Sequence, residues 1–413
     1  MRVCMSVSRL APSEKGVIVG GPINTMATLS RSLVARGHTI SILAGCPGSC
    51  AVRLAAEHMP WAELWPVLTS VGVGGVRRGV EFTAKGIVQS VGRQAQLREM
   101  DVFHSHSGYP QLALVASAAG VWIRIPTVHT LYSALSAEVE ETRRPSLLAS
   151  GVARFCLSKV DRIIAISRNV ARSLQNIGVL AERIRVVPPA VDEHSFHSGV
   201  SGEQWRQRLG VNDGEKLVMY LGNLTRTKGL DLFVSAIDRL ARQNLKFRAV
   251  YALQKQHPKF EGRRGEIRKR LRDSGLADRV FELGPVPDMP SLMAAADVFV
   301  SPLRSTNGLA DYPISVVEAM MLGRPIVATR TGGVLELIAD GKTGLLAEPG
   351  NVTELSNKIK ELLTRKTLAY QVGRNASRFA LQRFSTDRVT TLILDVYREV
   401  LRDRRHGYED KIS

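Results

Sequence analysis

The sequence predicts an α/β protein of two doubly wound, parallel-sheet domains facing a central cleft, and three observations carry that expectation. The chain has 413 residues, more than one ordinary hydrophobic core organises, so two domains of about 200 residues are expected. Short apolar strands alternate with one-sided helices in two separate series, the pattern of β-α-β units. Between the series the chain passes through the rigid pair Pro188-Pro189.

The first series opens with the strand Val3–Val7, a loop reaching Gly20-Gly21, and a helix in NTMATLSRSLVARGH. Its apolar Met26, Leu29, Leu33 and Val34 recur at three- and four-residue spacing. Gly37 ends that helix and HTISIL begins the next strand. The series continues through DVFHSH, a helix over 111–119, a strand over 125–129, a helix ending near Lys159, and the strand RIIAIS. The second series runs from KLVMYLG at Lys216–Gly222 through a helix over 230–243 and a strand over 247–253. An Arg- and Lys-dense helix over 259–272 follows, then VFELG, a helix over 290–296, VFVSP and PIVA. Domains are therefore expected at 1–195 and 196–385, with a linker near Val191–Gln204 where periodicity lapses. From Asp387 onward Val389, Leu392, Ile393, Val396, Tyr397 and Val400 form one helical stripe. Residues 386–413 are read as a C-terminal helix that packs back on the N-terminal domain.

Composition narrows the class. Hydrophobic residues make up 44% and charged residues 23%, which excludes a disordered or fibrous chain. The longest apolar run, Leu112–Ile123, includes Gly and Ser and falls short of the ~20 residues of a membrane-spanning helix. MRVCMSVSRL lacks the apolar stretch of a secretion signal, so a cytoplasmic location is expected. Cys4, Cys46, Cys50 and Cys156 make no disulfide framework, and Cys46-x3-Cys50 has no neighbouring His or Cys cluster to complete a metal site. The net charge of +18 favours phosphate substrates, acidic lipid headgroups or nucleic acid. It is spread along the chain, with 21 Lys and Arg against 13 Asp and Glu in residues 1–195 and 35 against 25 thereafter. Nucleic acid has no support beyond charge, because aromatic and basic residues do not interleave as they do in single-strand binders. The segment Arg263–Arg272 fits docking at an anionic membrane and fits a solvated helix face equally well.

Ligands of open α/β sheets bind beyond the carboxyl ends of the strands, which singles out four loops. Gly20-Gly21 stands before the first long helix, where bare backbone can approach an anion; the same pair also suits a sharp turn. GNLTRTKGLDL, residues 222–232, places Arg226 and Lys228 before a helix, a pair of cations suited to a diphosphate. In the segment 311–338, Pro313 precedes a helix start, leaving N–H groups near Ile314 and Ser315, with Glu318 one turn further on. His129 stands in PTVHTLY, at the end of a buried-type strand, where a structural and a functional histidine are equally expected.

These loops, together with RGHTISIL, DRIIAIS, VVPPAVD, KGLDLF, LGPV, ADVFVSP, EAMMLGRPIVATRTGG and DGKTGLLAEPG, resemble the large family of retaining GT-B glycosyltransferases that includes sucrose synthases and mannosyltransferases. The motifs occur in order over residues 1 to about 385. The resemblance implies a GT-B fold of two Rossmann-like domains, acceptor-binding then donor-binding, with no cofactor beyond a nucleoside diphosphate sugar, UDP being the commonest carrier. Carried residue by residue, it puts Lys228 on the donor phosphates, Glu318 on the ribose as the second glutamate of a Glu-x7-Glu motif, and Gly21 near the diphosphate. Val286 takes the place where backbone atoms hold the nucleobase, and His129 stands beside the transferred sugar. Two positions depart from the family. Asn223 replaces an arginine, so Arg226 is the candidate substitute; Ala310 replaces the first glutamate, so Asp311 is the candidate reader of the donor sugar.

The resemblance implies front-face substitution with retention, in which Arg226, Lys228 and the helix start at Ile314-Ser315 stabilise charge on the leaving diphosphate. No Asp-x-Asp triplet occurs, and metal independence is expected. The acceptor is a hydroxyl of a lipid-linked or cell-surface glycan, or of a small-molecule glycoside, which fits a protein peripheral to the inner face of a membrane. Two other classes remain open: a nucleotide-sugar epimerase, and a non-catalytic nucleotide-sugar or polyanion binder.

Overall fold

A computed structural model describes residues 1–10, 21–70, 75–135, 147–243, 245–253, 260–306 and 309–409. The chain divides into two compact units: 1–190 with 307–311 and 386–413, and 191–306 with 312–385.

The first unit holds seven strands: β1 Arg2–Val7, β2 Thr39–Pro47, β3 Glu63–Thr69, β4 Val102–Ser107, β5 Thr127–Leu131, β6 Arg162–Ala165 and β7 Ile184–Val186. All pairings are parallel, in the order β3-β2-β1-β4-β5-β6-β7. Cys4 through Val7 of the central β1 are buried without alternation, as both-sided burial of a parallel strand requires. The core joins Val3, Met5, Ile40, Ile42 and Val102 to Met26, Leu29 and Leu33 of the helix Gly21–Ala35. Val389, Ile393, Val396, Tyr397 and Val400 of the helix Thr386–Glu409 enter the same cluster, so this one-sided helix completes the first core from the far end of the chain.

The second unit holds β8 Lys216–Gly222, β9 Phe247–Leu253, β10 Val280–Leu283, β11 Val298–Ser301, β12 Ile326–Thr329 and β13 Leu345–Ala347. They are also parallel, in the order β10-β9-β8-β11-β12-β13. Each unit is thus a doubly wound α/β sheet whose strand order reverses once, at β1–β4 and at β8–β11.

Several elements depart from the sequence reading. The expected helix over 111–119 is a 3-10 turn at Pro110–Leu112, an α-helix at Ala113–Ala118 and a π-helical turn at Ala119–Ile123, closed by Arg124 at φ 64°. The strand over 125–129 starts later, at Thr127. The whole of the expected linker 191–204 belongs to the second unit, and Glu203 opens the helix Glu203–Arg208. β3 and the helices Gly75–Gly92, Val352–Thr364 and Lys366–Phe384 are elements that the sequence reading did not place. Among the described residues no helix is long and apolar enough to cross a membrane.

Candidate functional site

In the second unit the strand order reverses at β8 and β11, and open α/β sheets bind ligands in the crevice beyond the carboxyl ends of such a strand pair. The chain leaves β8 through an Asx turn: Asn223 Oδ1 accepts from Thr225 N at 2.9 Å and from Thr225 Oγ1 at 2.6 Å. The Tyr220 hydroxyl donates to the Asn223 carbonyl at 3.1 Å. Asn223 therefore spends its side chain on the loop itself. A 3-10 turn, Arg226–Lys228, follows with Arg226 exposed and Lys228 half-buried.

Gly229 then starts the helix Leu230–Ala241 at φ 70°. A Cβ there would stand 1.9 Å from the Pro302 carbonyl, just past β11, so only glycine lets the two loops meet. Arg304 N donates to the Thr227 carbonyl at 2.9 Å, and the Arg304 guanidinium pairs with Asp231 in the first helical turn. The basic loop and the end of β11 are thereby one braced structure. Arg304 escaped the sequence reading; its only signal is a cation three residues beyond a buried strand.

The helix Ile314–Met321 follows Pro313, and no side chain caps its start, so the first-turn N–H groups at Ile314 and Ser315 keep their capacity for an anion. Val316, Val317, Ala319, Met320 and Met321 are buried and fix the helix against the core. Glu318 is half-buried. Among the described residues its carboxylate has no hydrogen-bond or ion-pair partner, and burial pushes it up to about 7 by penalising the charged form. The residue before Pro313 is held separately: the Tyr312 hydroxyl donates to Glu336 at 2.9 Å and accepts from Arg383 at 3.1 Å. Val286 is buried, three residues past β10.

In the first unit the switch-point strand β4 alternates His104, His106 with Ser105, Ser107. His129 is fully buried rather than open at a strand end. Its Nδ1 meets Ser105 Oγ at 2.6 Å and its Nε2 meets Ser107 Oγ at 3.3 Å. Because the Ser107 hydroxyl donates to the Tyr109 carbonyl at 2.5 Å, His129 Nε2 is assigned as the protonated nitrogen and Nδ1 as the acceptor from Ser105. Burial lowers His129 to about 3, so the ring is neutral.

His104 is bonded on both nitrogens, to the Tyr397 hydroxyl and to Thr130 Oγ1, each at 2.7 Å. His106 meets the Tyr132 hydroxyl at 3.2 Å through Nδ1, while its buried Nε2 has no partner among the described residues. The spacing His-x-His in DVFHSH is the signal that could have singled out these two.

Asp311 falls in the first unit and is fully buried. Ser167 Oγ donates to its Oδ2 at 2.5 Å, Asn169 Nδ2 donates to its Oδ1 at 2.9 Å, and its own N–H donates to the Tyr132 carbonyl at 2.8 Å. Both carboxylate oxygens are engaged inside the protein. Gly21 is the first residue of its helix, and Gly20 lies outside the described residues. Fold geometry thus gathers Asn223, Arg226 and Lys228 in one loop and Ile314, Ser315 and Glu318 on one helix, with His129 and Asp311 in the other unit. Among the described residues no group of three or more His, Cys, Asp or Glu side chains could hold a metal ion.

The family described as Glycosyltransferase Family 4 matches residues 19–195, and Glycosyl transferases group 1 matches residues 201–379. The chain is 31% identical over 325 residues to a D-inositol 3-phosphate glycosyltransferase of Acidothermus cellulolyticus, covering 76% of this chain and 70% of that one. It is 25% identical over 315 residues to an N-acetyl-alpha-D-glucosaminyl L-malate synthase of Bacillus anthracis, covering 76% and 78%. The crystal structure of HepE from Anabaena in complex with UDP and glucose superposes with a TM-score of 0.77 at 21% identity, covering 97% of this chain and all of that one.

Proposed function

This chain belongs to the group 1 glycosyltransferases, enzymes of GT-B fold that transfer a sugar, and from that premise we propose that its donor is a nucleoside diphosphate sugar, UDP-linked, transferred with retention and without a metal ion. One observation carries the donor reading: Glu318, a half-buried carboxylate without a partner among the described residues, one turn into an uncapped helix start. A ribose with two vicinal hydroxyls is the complement of such a group, and both charge-assisted bonds form only when the nucleotide arrives. Arg226, Lys228 and the N–H groups at Ile314 and Ser315 stabilise the diphosphate as it leaves. Val286 holds the nucleobase through its backbone. UDP is favoured because the similar HepE structure contains UDP and glucose.

His129 is a positioning residue: fully buried, with both nitrogens bonded to serines of β4, it fixes β4 against β5 and does not touch the sugar itself. Asp311 acts from a distance: with both oxygens engaged, it anchors the chain ahead of Pro313 while the sugar is read by other groups. The acceptor is a hydroxyl of a lipid-linked or cell-surface glycan or of a small glycoside, met on the cytoplasmic side of a membrane.

Surface chemistry supports peripheral docking by the first unit. Val80 and Val88 of the helix Gly75–Gly92, Trp122, and Phe155 of the helix Leu147–Leu157 are each more than half exposed. They lie on elements packed side by side, among the exposed Lys85, Arg124, Arg154 and Lys159. Apolar tips among cations suit an anionic interface. The Arg-rich helix Glu261–Asp273 is a weaker candidate, since Arg263 pairs with Asp231 and both Arg264 and Arg268 pair with Glu282.

The deciding experiment incubates the full chain with EDTA and UDP-, GDP- or ADP-sugars and follows release of nucleoside diphosphate. Release from a UDP-sugar that collapses in Glu318→Ala and in Lys228→Ala is the expected result. No release from any donor, with no nucleotide binding by calorimetry, favours a non-catalytic binder instead.

A further inference from the structure

We propose that the second unit carries another anion site, for an organic phosphate, at the end of its sheet opposite the β8–β11 crevice. A cavity of about 700 Å³ opens there, within the 300–1,000 Å³ typical of small-molecule sites. Its floor is the amino side of the sheet: Lys216 opens β8, Asp297 directly precedes β11 and Pro325 directly precedes β12.

One wall is the helix Lys366–Phe384, which presents Lys366, Tyr370, Arg374 and Arg378 at successive four-residue steps, a single stripe along its surface. Among the described residues none of these three cations pairs with a carboxylate. The carboxylate in the lining, Asp297, is consumed: Lys216 Nζ and Arg206 Nη1 both donate to it at 2.9 Å, and Leu217 N at 2.8 Å. Arg374 and Arg378 at i, i+4 repel one another along the helix, and among the described residues no ion pair offsets that repulsion. An external anion does. Tyr370, 67% exposed, adds a ring face for a base or sugar, which distinguishes an organic phosphate from a bare ion. Arg324 takes no part, since its guanidinium is turned onto the Ala294 carbonyl at 3.0 Å.

Position gives the site a consequence. Its lining includes Leu322, Gly323 and Pro325, the turn that ends the helix Ile314–Met321. That helix carries Glu318 four residues before Leu322, about 6 Å along the helix axis at 1.5 Å per residue. A Cβ on Gly373 would fall 2.3 Å from the Gly323 carbonyl, so the basic helix and this turn are in direct backbone contact. A phosphate drawn against Arg374 and Arg378 therefore bears on the helix that binds the donor, and by linkage the donor bears on it equally. The anion site rests on the cavity wall alone and stands independently of the donor assignment; the coupling rests on it.

Calorimetry of the full chain with inorganic pyrophosphate and with ADP tests the proposal. Wild type is expected to bind at two sites. Lys228→Ala keeps the cavity site, whereas Arg374→Ala/Arg378→Ala weakens it at least 10-fold and leaves the other unchanged. Arg374→Lys/Arg378→Lys restores most of the affinity, and Tyr370→Ala weakens ADP several-fold while sparing pyrophosphate. Lys269→Ala/Arg272→Ala removes the same charge from another exposed helix and serves as the control. The proposal is overturned if that control weakens binding as much as the cavity variant, or if wild type shows one site that Lys228→Ala abolishes.

Discussion

His129 lies within β5 of the first unit and Glu318 on the helix Ile314–Met321 of the second, and burial displaces both from their ordinary titration. They differ in what surrounds them. His129 has both nitrogens occupied by serines of the neighbouring strand, while Glu318 has no partner among the described residues and is held near 7. A buried polar group that is satisfied contributes to folding, and one left unsatisfied costs folding free energy unless something outside the protein completes it. The first unit's candidate residues are thus built into its core, whereas the second unit's retain unspent bonding capacity. Ligand binding is the state in which that capacity is used.

The largest expected effect crosses the two residues. Glu318→Ala should lower kcat/KM for the donor by about 100-fold or more, the loss of two charge-assisted hydrogen bonds, with the melting temperature unchanged or raised. His129→Ala should do the reverse in emphasis: it leaves two serines without their partner and a cavity in the sheet, at a cost of roughly 2–4 kcal/mol in stability. Turnover and thermal melts on the same preparations check both. If Glu318→Ala melts markedly lower while His129→Ala melts like wild type, the contrast fails.

A pH series sharpens the comparison, because the two shifts have opposite signs. The folded state holds His129 and His106 near 3, below the ordinary imidazole value of about 6.5. The unfolded chain therefore binds more protons between these values, and the histidines' contribution is lost as pH falls from about 6.5 towards 3. Glu318 is raised, so the folded state binds the extra proton between about 4.5 and 7, and the favourable contribution of its neutral form is lost as pH rises through that window. Glu318→Gln should accordingly stabilise the protein at pH 8 and not at pH 4. Denaturant unfolding at the two pH values measures the difference, and an equal gain at both would mean that the carboxylate is not the group responsible.

Legibility from sequence follows the same division. Parallel strands read as unbroken apolar runs, so KLVMYLG gave β8 residue for residue, and the one-sided stripe from Val389 to Val400 gave the last helix. β3 was missed because Glu63 and Pro66 interrupt its pattern, and the helix Lys366–Phe384 because its buried face, Val372, Gly373, Ala376 and Ala380 ahead of a terminal Phe384, is mostly small. In the site, the loop cations and the uncapped helix were legible as local chemistry. The engagement of Asp311 with Ser167 and Asn169 was not, since it joins residues more than 140 positions apart; nor was the bonding of His129, because which residues lie opposite across a sheet depends on register.

Asn223 gives the smallest effect and the finest test. The family resemblance implies an arginine at that position, and with it a direct phosphate contact, yet here the side chain closes an Asx turn on Thr225. On the structural reading, Asn223→Ala loosens the turn that aims Arg226 and Lys228, at about 1 kcal/mol for the lost hydrogen bonds, and lowers kcat/KM only several-fold. Asn223→Asp, which keeps the acceptor oxygen, should then stay within a few-fold of Asn223→Ala or better, despite adding a negative charge beside the phosphates. If Asn223 instead contacts the diphosphate, Asn223→Ala should be as damaging as Lys228→Ala and Asn223→Asp worse than either. Steady-state kinetics of the three variants separates a residue that shapes the basic loop from one that shares its charge-binding work.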